Sequence, residues 1–454
     1  MEWITNILGF LLVIGVLVAV HEFGHFWVAR RVGVKVLRFS IGFGRPLLTR
    51  TGKDGTEYVL AAIPLGGYVK MLDEREGPVD PALQSFAFNR KPLWARNAVI
   101  VAGPLFNFGL AILAYWAVFI IGALELKPVL GPVTPASPAA EAGLAEGDEL
   151  KHIGSQTVEA WDQAVMAFLE ASDDSPFRVV VARPDGAQVE RQMDTRGVRL
   201  LDEPGEVLER LGLQVWRPRI VPIVGEVVED SAAAAAGVRV DDQILSIDGE
   251  PTEHWSDLVS AVRARADQSI TLAVRRDGQT LTFQTPLKGW GEGDERIGML
   301  GVVPQVPDEL FADMRHEVRY GPIAAIPQAI NSTWQAGTLT ISVLSKMLIG
   351  EASVKNLSGP INIAQFAGDS VSLGITPFLK FLAIVSISLG ILNLLPVPIL
   401  DGGHLLFNTI EWIKGRPLSE AAQGIGQQIG MGLLLMLMTL AFYNDLHRLF
   451  AAGG

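Results

Sequence analysis

The stretch that decides the fold lies near the start of the chain, where residues 4–28 read ITNILGFLLVIGVLVAVHEFGHFWV. It exceeds the roughly 20 apolar residues that an α-helix needs to cross a bilayer. A cleaved signal peptide is disfavoured, because the run is too long and no basic segment precedes it. His21, Glu22 and His25 interrupt the run, and ionisable groups in a membrane helix usually mark function. We therefore predict a membrane-spanning helix that carries chemistry.

The composition of the whole chain favours a membrane protein without thiol chemistry. Of its 454 residues, 49% are hydrophobic and 19% are charged, with a mean hydropathy of +0.31, whereas about a quarter of residues are charged in a soluble domain. The formal net charge of −12 gives no reason to expect nucleic acid as a partner. The chain has no cysteine, so any metal site must use its seven histidines and its carboxylates.

Three further apolar blocks, at about 98–124, 378–400 and 429–442, are long enough or nearly so to span a bilayer. Residues 29–96 contain 12 Lys and Arg against 6 Asp and Glu, whereas residues 124–375 contain 21 against 37. Cytoplasmic loops are enriched in Lys and Arg, so we predict a cytoplasmic first segment and an extracytoplasmic long segment. Four crossings then place both termini outside.

The long segment contains a repeat. Ser137, Gly143, Asp148 and Trp161 recur at the same spacing as Ser231, Gly237, Asp242 and Trp255. The pattern resembles the PDZ domains of bacterial envelope proteases, which bind extended peptides at a sheet edge. Neither copy has the usual Gly-Leu-Gly-Phe loop that binds a carboxyl terminus, so peptide binding and a role as a steric spacer are both open.

His21-Glu22-Phe23-Gly24-His25 is an HExxH motif. On a helix this spacing places both imidazoles on one face, where they can share a metal ion, with Glu22 as a candidate base for a metal-bound water. The alternative is a pair of histidines satisfied by packing partners, with Glu22 reaching the membrane interface. The intramembrane setting favours the metal site.

A hydrolytic zinc site commonly has three protein ligands and an open fourth position. The block at 378–400 crosses the membrane in the same direction as the first helix, and residues 393–404 read NLLPVPILDGGH. Topology therefore places Asp401 beside the HExxH pair. His404 competes with Asp401 for the role of third ligand.

Several residues near these motifs are candidates for holding a substrate. Pro396 and Pro398 interrupt a helix at membrane depth, and Asn393 offers an amide to a substrate backbone. Asn107, in the GPLFN stretch of the second span, is a weaker candidate for the same lining. Residues 56–63 and 67–71 predict two short strands joined through Pro64, Leu65 and Gly66.

HEFGH in the first span and N-x-x-P-x-P-x-L-D-G-G-H in the third resemble the two signatures of the site-2 protease family of intramembrane zinc metalloproteases. This resemblance implies that His21, His25 and Asp401 bind one Zn²⁺ per chain and that Glu22 is the base. It also implies a membrane-associated β-hairpin, including Gly66, Gly67 and Tyr68, that adds the substrate as a strand; a plain soluble hairpin is the alternative.

The family further implies a substrate and a location. The substrate is a single-pass membrane protein, typically an anti-sigma factor already shortened by another protease, cut within its transmembrane segment during an envelope stress response. The location is the bacterial inner membrane, in contact with lipid. The rival functions are a non-catalytic membrane scaffold whose PDZ modules recruit envelope proteins, and a metal transporter, which would need ionisable residues in several spans.

The predicted fold is a polytopic α-helical membrane protein with four transmembrane helices, a membrane-associated β-hairpin and two extracytoplasmic PDZ domains of α+β type. The predicted segments are transmembrane helix 1 (1–28), a cytoplasmic segment with the hairpin (29–96), transmembrane helix 2 (97–124), PDZ domain 1 (127–220), PDZ domain 2 (221–310), amphipathic membrane-surface helices (311–375), transmembrane helix 3 (376–401), a cytoplasmic loop (402–428) and transmembrane helix 4 (429–450).

Overall fold

The computed structural model describes residues 2–203, 205–218, 220–291, 296–306 and 314–452. Within these ranges the chain forms a group of long apolar helices and two modules rich in β-strands. Residues 292–295 and 307–310 of the predicted second PDZ domain, and 311–313 of the segment after it, lie outside the described residues.

The described part of the chain contains twelve α-helices. In chain order they are α1 Glu2–Arg31, α2 Leu93–Ile121, α3 Pro138–Glu141, α4 Trp161–Ala171, α5 Val207–Leu211, α6 Ala232–Ala236, α7 Trp255–Arg263, α8 Ala325–Ile349, α9 Pro360–Leu373, α10 Ile375–Leu394, α11 Asp401–Lys414 and α12 Glu420–Ala452. Helices α1, α2, α10 and α12 are long and apolar enough to cross a membrane. Each of the four predicted spans therefore has a helical counterpart.

Sixteen β-strands occur in the same described ranges. They are β1 Val36–Thr51, β2 Glu57–Met71, β3 Ala123–Leu126, β4 Glu149–Ile153, β5 Gln156–Thr157, β6 Phe177–Ala182, β7 Gln188–Met193, β8 Val224–Val227, β9 Gln243–Ile247, β10 Glu250–Pro251, β11 Ser269–Arg276, β12 Gln279–Pro286, β13 Lys288–Trp290, β14 Ile297–Met299, β15 Val302–Pro304 and β16 Arg315–Val318. Strands β1 and β2 form a hairpin, and two four-stranded sheets have the orders β5-β4-β6-β7 and β10-β9-β11-β12.

The two four-stranded modules are built alike, and the repeated residues have the same local roles in both. Ser137 and Ser231 accept hydrogen bonds from the amides three residues later and cap α3 and α6. The repeated glycine follows each of these helices with a positive φ, +75° at Gly143 and +86° at Gly237. Each module packs its own cluster of buried apolar side chains between sheet and helices. The repeat thus encodes two separately cored units.

The hairpin differs from its prediction. The two predicted strands form the single strand β2, and its partner β1 is not predicted, because the glycines and proline of residues 42–46 obscure its alternating pattern. Residues 38–41 of β1 pair with both 57–60 and 67–70 of β2. The Pro-Leu-Gly sequence therefore bends one strand instead of joining two. Residues 67–71, paired only with β1 in the described structure, form one edge of this hairpin.

Helix α8 packs against the helices beside it through small side chains. Ala325, Ala329 and Ala336 are buried and pack against residues of α2 and α10. Its large apolar residues Ile330 and Trp334 are exposed. An apolar exposed face is typical of a helix in contact with lipid, and the membrane-surface location of this segment stays a prediction.

We expect Asp242 to make the second module sensitive to acid. Its buried carboxylate accepts two hydrogen bonds of 2.7 Å from Arg276 and one of 2.8 Å from the Arg239 amide. Burial raises its pKa, but these bonds outweigh burial and hold the pKa below its usual value. A carboxyl group whose pKa is lowered by folding stabilises the fold above its unfolded pKa of about 4, and this stabilisation is lost as the pH falls further.

Asp242→Asn should therefore destabilise the module at pH 7 by about 2 kcal/mol, and the difference from the unaltered chain should shrink as the pH falls below about 4. Hydrogen exchange of residues 222–306 measures this. Asp241→Asn, at the exposed neighbouring residue, is the control. Equal exchange in the Asp242→Asn variant and the unaltered chain at pH 7 would contradict the assignment.

Candidate metal centre

The HExxH motif lies in the second half of α1, and its helical spacing brings the two histidines together. The Nε2 atoms of His21 and His25 are 3.2 Å apart, and the rings meet edge-on with 4.8 Å between their centroids. Both residues are buried, 8% and 9% exposed. Two ring nitrogens therefore point at one place inside the helix bundle.

Asp401 reaches the same place from the other end of the chain. Helix α10 ends at Leu394 and α11 begins at Asp401, and the stretch between them contains two prolines, which lack the amide donors of a continuous helix. Asp401 Oδ2 lies 3.2 Å from His21 Nε2 and 3.5 Å from His25 Nε2. The structure thus brings together the three residues that the sequence analysis predicts as metal ligands.

The geometry of these three atoms fits a tetrahedral metal ion. Ligands at 2.0–2.1 Å from such an ion lie about 3.4 Å from one another, close to the separations of 3.2, 3.2 and 3.5 Å found here. Asp401 Oδ2 is also buried and has no hydrogen-bond partner among the described residues. A bound cation would compensate this otherwise costly burial. Two imidazoles and a carboxylate are a ligand set that suits zinc.

Residues of helix α2 contact the Nδ1 atom of each histidine. His25 Nδ1 lies 2.8 Å from the carbonyl oxygen of Val99, and His21 Nδ1 lies 3.1 Å from Nδ2 of Asn107. The sequence analysis assigns Asn107 to the substrate site, but this residue is 0% exposed and lies behind His21. The structure places Asn107 against α1 and not in the cavity, so it does not support a substrate contact for this residue.

Two glycines allow α1 and α2 to approach this closely. A Cβ atom at Gly24 would lie 2.5 Å from the carbonyl oxygen of Ala102. A Cβ atom at Gly103 would lie 2.3 Å from His25 Nε2 and 2.8 Å from His21 Cε1. Larger residues at either position would push the helices or the imidazole rings apart.

A cavity of about 520 Å³ opens at the metal centre. Its walls include His21, Glu22, His25, Gly67, Tyr68, Val69, Met71, Arg75, Arg96, Asn393, Asp401, His404 and Glu411. Glu22 lines the same cavity, and its side chain lies against the edge strand, where a Cβ atom at Gly67 would approach its Cγ to 3.1 Å. The side chain of Glu22 is thus at the side of the cavity lined by β2.

The cavity includes some of the residues predicted to contact a substrate and omits others. Gly67, Tyr68 and Asn393 line it, whereas Gly66, Pro396 and Pro398 do not. Gly66 has a φ of +123°, and a Cβ atom there would meet the ring of Phe43 at 2.3 Å. Pro398 packs against α12, where a Cβ atom at Gly430 would approach its ring to 3.2 Å.

His404, the alternative third ligand, lines the cavity but does not belong to the group of converging ligand atoms. It lies one helical turn after Asp401 on α11 and contacts the ring of Phe407. In the described structure Asp401, and not His404, lies next to the two histidines of the HExxH motif.

Comparison with known proteins identifies the family. The model of "Peptidase family M50" matches residues 9–437. The chain belongs to peptidase family M50. This confirms the resemblance to site-2 proteases drawn from the two motifs, and it makes the chain a metalloprotease embedded in a membrane.

Three relatives match the chain over nearly its whole length. "Regulator of sigma-E protease RseP" of Salmonella typhimurium is 44% identical, over 98% of this chain and 99% of the relative. The protein of the same name from Escherichia coli is 44% identical over 99% and 100%. A "Putative zinc metalloprotease" of Vibrio cholerae is 41% identical over 98% and 99%.

Two contacts beside the cavity involve residues that the sequence analysis does not predict. Arg96 of α2 donates to Glu411 of α11 at 2.5 Å, and Asn408 donates to Asn97 at 2.7 Å. These contacts fix the far part of the helix that begins with Asp401. Gly103 could have been found from sequence, because it lies one turn before Asn107 in a span that must pack against α1. The pairing of Arg96 with Glu411 could not have been found in this way, because the two residues lie 315 positions apart in the sequence.

Gly103→Ala tests the need for space beside the histidines. The added methyl group would overlap both rings, so we expect the variant to lose metal binding, measured as metal content of the purified chain. Gly109→Ala, in the same helix, adds a methyl group where nothing lies within 4 Å, and it should keep its metal. Equal metal content in the two variants would contradict the packing argument.

Proposed function

We propose that this chain is a zinc metalloendopeptidase that cleaves single-pass membrane proteins within their transmembrane segments. The convergence of His21, His25 and Asp401 at tetrahedral spacing carries the proposal. These residues would hold one Zn²⁺ and leave one position open toward the cavity. When bound, the ion would supply a Lewis acid that polarises the scissile carbonyl and acidifies a water molecule.

Glu22 is the proposed general base and acid. Its side chain lines the cavity next to the ligand atoms and lies against Gly67 of β2. From this position it takes a proton from the attacking water and later gives a proton to the leaving amine. Its place in the HExxH motif supports the same role.

The edge strand of the hairpin would hold the substrate extended. A peptide bond in a helix is shielded by the hydrogen bonds of that helix, so a substrate has to unwind before attack. Residues 67–71 form an edge of the hairpin, and Gly67, Tyr68, Val69 and Met71 among them line the cavity beside Glu22. Strand addition to such an edge gives an unwound peptide backbone partners. Asn393 lines the cavity too and offers its amide to the same backbone.

The names of the relatives support a narrower substrate class. Two of them are named regulator of sigma-E protease, and we propose that this chain likewise acts in an envelope stress response on an anti-sigma factor already cut once. The proposed location is the bacterial inner membrane with the HExxH motif near the cytoplasmic side. The excess of Lys and Arg in residues 29–96 supports this orientation.

The two modules are proposed to be PDZ domains on the periplasmic side. Their equal sheet orders and the shared capping residues support two copies of one unit. They lie in the acidic segment between the second and third spans. Placed there, the pair can screen a substrate by size or by binding before its transmembrane segment reaches the cavity.

Glu22→Gln tests the catalytic assignment. The amide cannot accept the proton from water, so cleavage of a model transmembrane substrate should fall by at least about 10²–10⁴-fold, while zinc content stays near one ion per chain. His21→Ala should lose both zinc and cleavage. Normal turnover by Glu22→Gln in a purified assay would exclude Glu22 as the general base, whereas a lack of zinc-dependent cleavage by the unaltered chain would favour the scaffold function.

Cross-linking tests substrate binding at the edge strand. Because the chain has no cysteine, a single introduced cysteine reports one position. Tyr68→Cys in the Glu22→Gln background should form a disulfide with a cysteine near the scissile bond of the substrate. Leu48→Cys, exposed on another segment of the hairpin, should not. Equal cross-linking at both positions would argue against strand addition at residues 67–71.

A further inference from the structure

Asn107 lies behind His21, on the side away from the converging ligand atoms. Its side chain is fully buried, with Nδ2 3.1 Å from His21 Nδ1. Its Oδ1 is buried and has no hydrogen-bond partner among the described residues. The buried hydroxyl of Ser386 on α10 donates to its backbone carbonyl at 2.8 Å. One residue of α2 thus contacts both α1 and α10 directly behind the proposed ligand.

The position of the ring proton decides whether each histidine can bind metal through Nε2. A neutral imidazole that gives its Nε2 lone pair to a metal must carry its proton on Nδ1. His25 meets this condition, because its Nδ1 faces the carbonyl of Val99, which can only accept. His21 faces an amide instead, and an amide has a donor end and an acceptor end.

In the arrangement seen here the donor end faces the ring. Nδ2 of Asn107 then donates to Nδ1 of His21, and the ring proton is on Nε2, where the lone pair of His25 Nε2 accepts it at 3.2 Å. This tautomer is satisfied without a metal, but it offers no Nε2 lone pair. A rotation of the amide by 180° reverses the pattern, because Oδ1 then faces Nδ1 and accepts from it.

We propose that Asn107 is a positioning residue that accommodates both tautomers of His21 by turning its amide. When Nε2 gives up its proton to become a ligand, Nδ1 gains one, so the ring stays neutral and Oδ1 accepts the new hydrogen bond. The end of the amide that points away from His21 has no partner in this structure. Other groups of the described structure therefore do not fix the orientation of the Asn107 amide, which depends on the tautomer of His21. This inference rests on the proposed zinc site.

The side chain at residue 107 must then provide an acceptor toward Nδ1. Aspartate provides one, whereas leucine, which has a similar shape, provides none. If residue 107 only filled space, Asn107→Leu would be the milder change, since leucine is tolerated between membrane helices and a carboxylate is costly there. The ranking of these two variants therefore separates the proposed role from a structural one.

Zinc affinity of the purified full chain, measured by competition with a chromogenic chelator, tests the proposal. We expect Asn107→Leu to bind Zn²⁺ about 10–100-fold more weakly than the unaltered chain. Asn107→Asp should keep most of the affinity. Ser386→Ala, which removes the contact to the backbone of Asn107 and leaves the amide in place, is the matched control and should also keep it. Helix content by circular dichroism monitors folding.

Unaltered affinity in Asn107→Leu would overturn the inference. So would a loss of about 10-fold or more in Asn107→Asp relative to the unaltered chain, a comparison that holds even if Asn107→Leu does not fold. Failure of the proposed function has a different signature, because the unaltered chain would then bind no Zn²⁺ that His21→Ala or Asp401→Ala abolishes.

Discussion

Two imidazoles and a carboxylate are buried among apolar helices, and each of their polar atoms needs a partner there. A polar group without one costs several kcal/mol in such surroundings. The structure meets this demand for the outer ring nitrogens, which face Val99 and Asn107. The inner atoms of His21, His25 and Asp401 converge on one point, where a bound cation would satisfy them. Close contact between α1 and α2, and the break between α10 and α11, both serve this arrangement.

The sequence predicts this core of the protein well because its signals are local. The apolar runs, the HExxH spacing and the LDG stretch can each be recognised in a short window. The charge asymmetry of the loops predicts the direction in which each span crosses the membrane, and this direction places Asp401 near the HExxH motif of α1. The family resemblance that follows from these motifs is confirmed. The four long helices also follow from composition alone.

The parts that the sequence does not predict depend on contacts between distant segments. Strand β1 is missed because its partner residues lie on both halves of β2. The orientation of Asn107 depends on which face of α2 meets α1, and helical periodicity is uninformative where nearly every residue is apolar. The Arg96 and Glu411 pair joins residues far apart in the chain. Such pairings are fixed by tertiary packing and leave no pattern in a short window.

The long separation of the proposed ligands along the chain also has a consequence for biogenesis. His21 and His25 lie in the first helix, whereas Asp401 follows the two modules and the third long helix. A chain still emerging from the ribosome has two of the three side chains, and its cavity lacks the wall formed by α10 and α11. Completion of the centre is thus tied to late translation, so that an unfinished protease in the membrane has no assembled centre with which to cut neighbouring proteins.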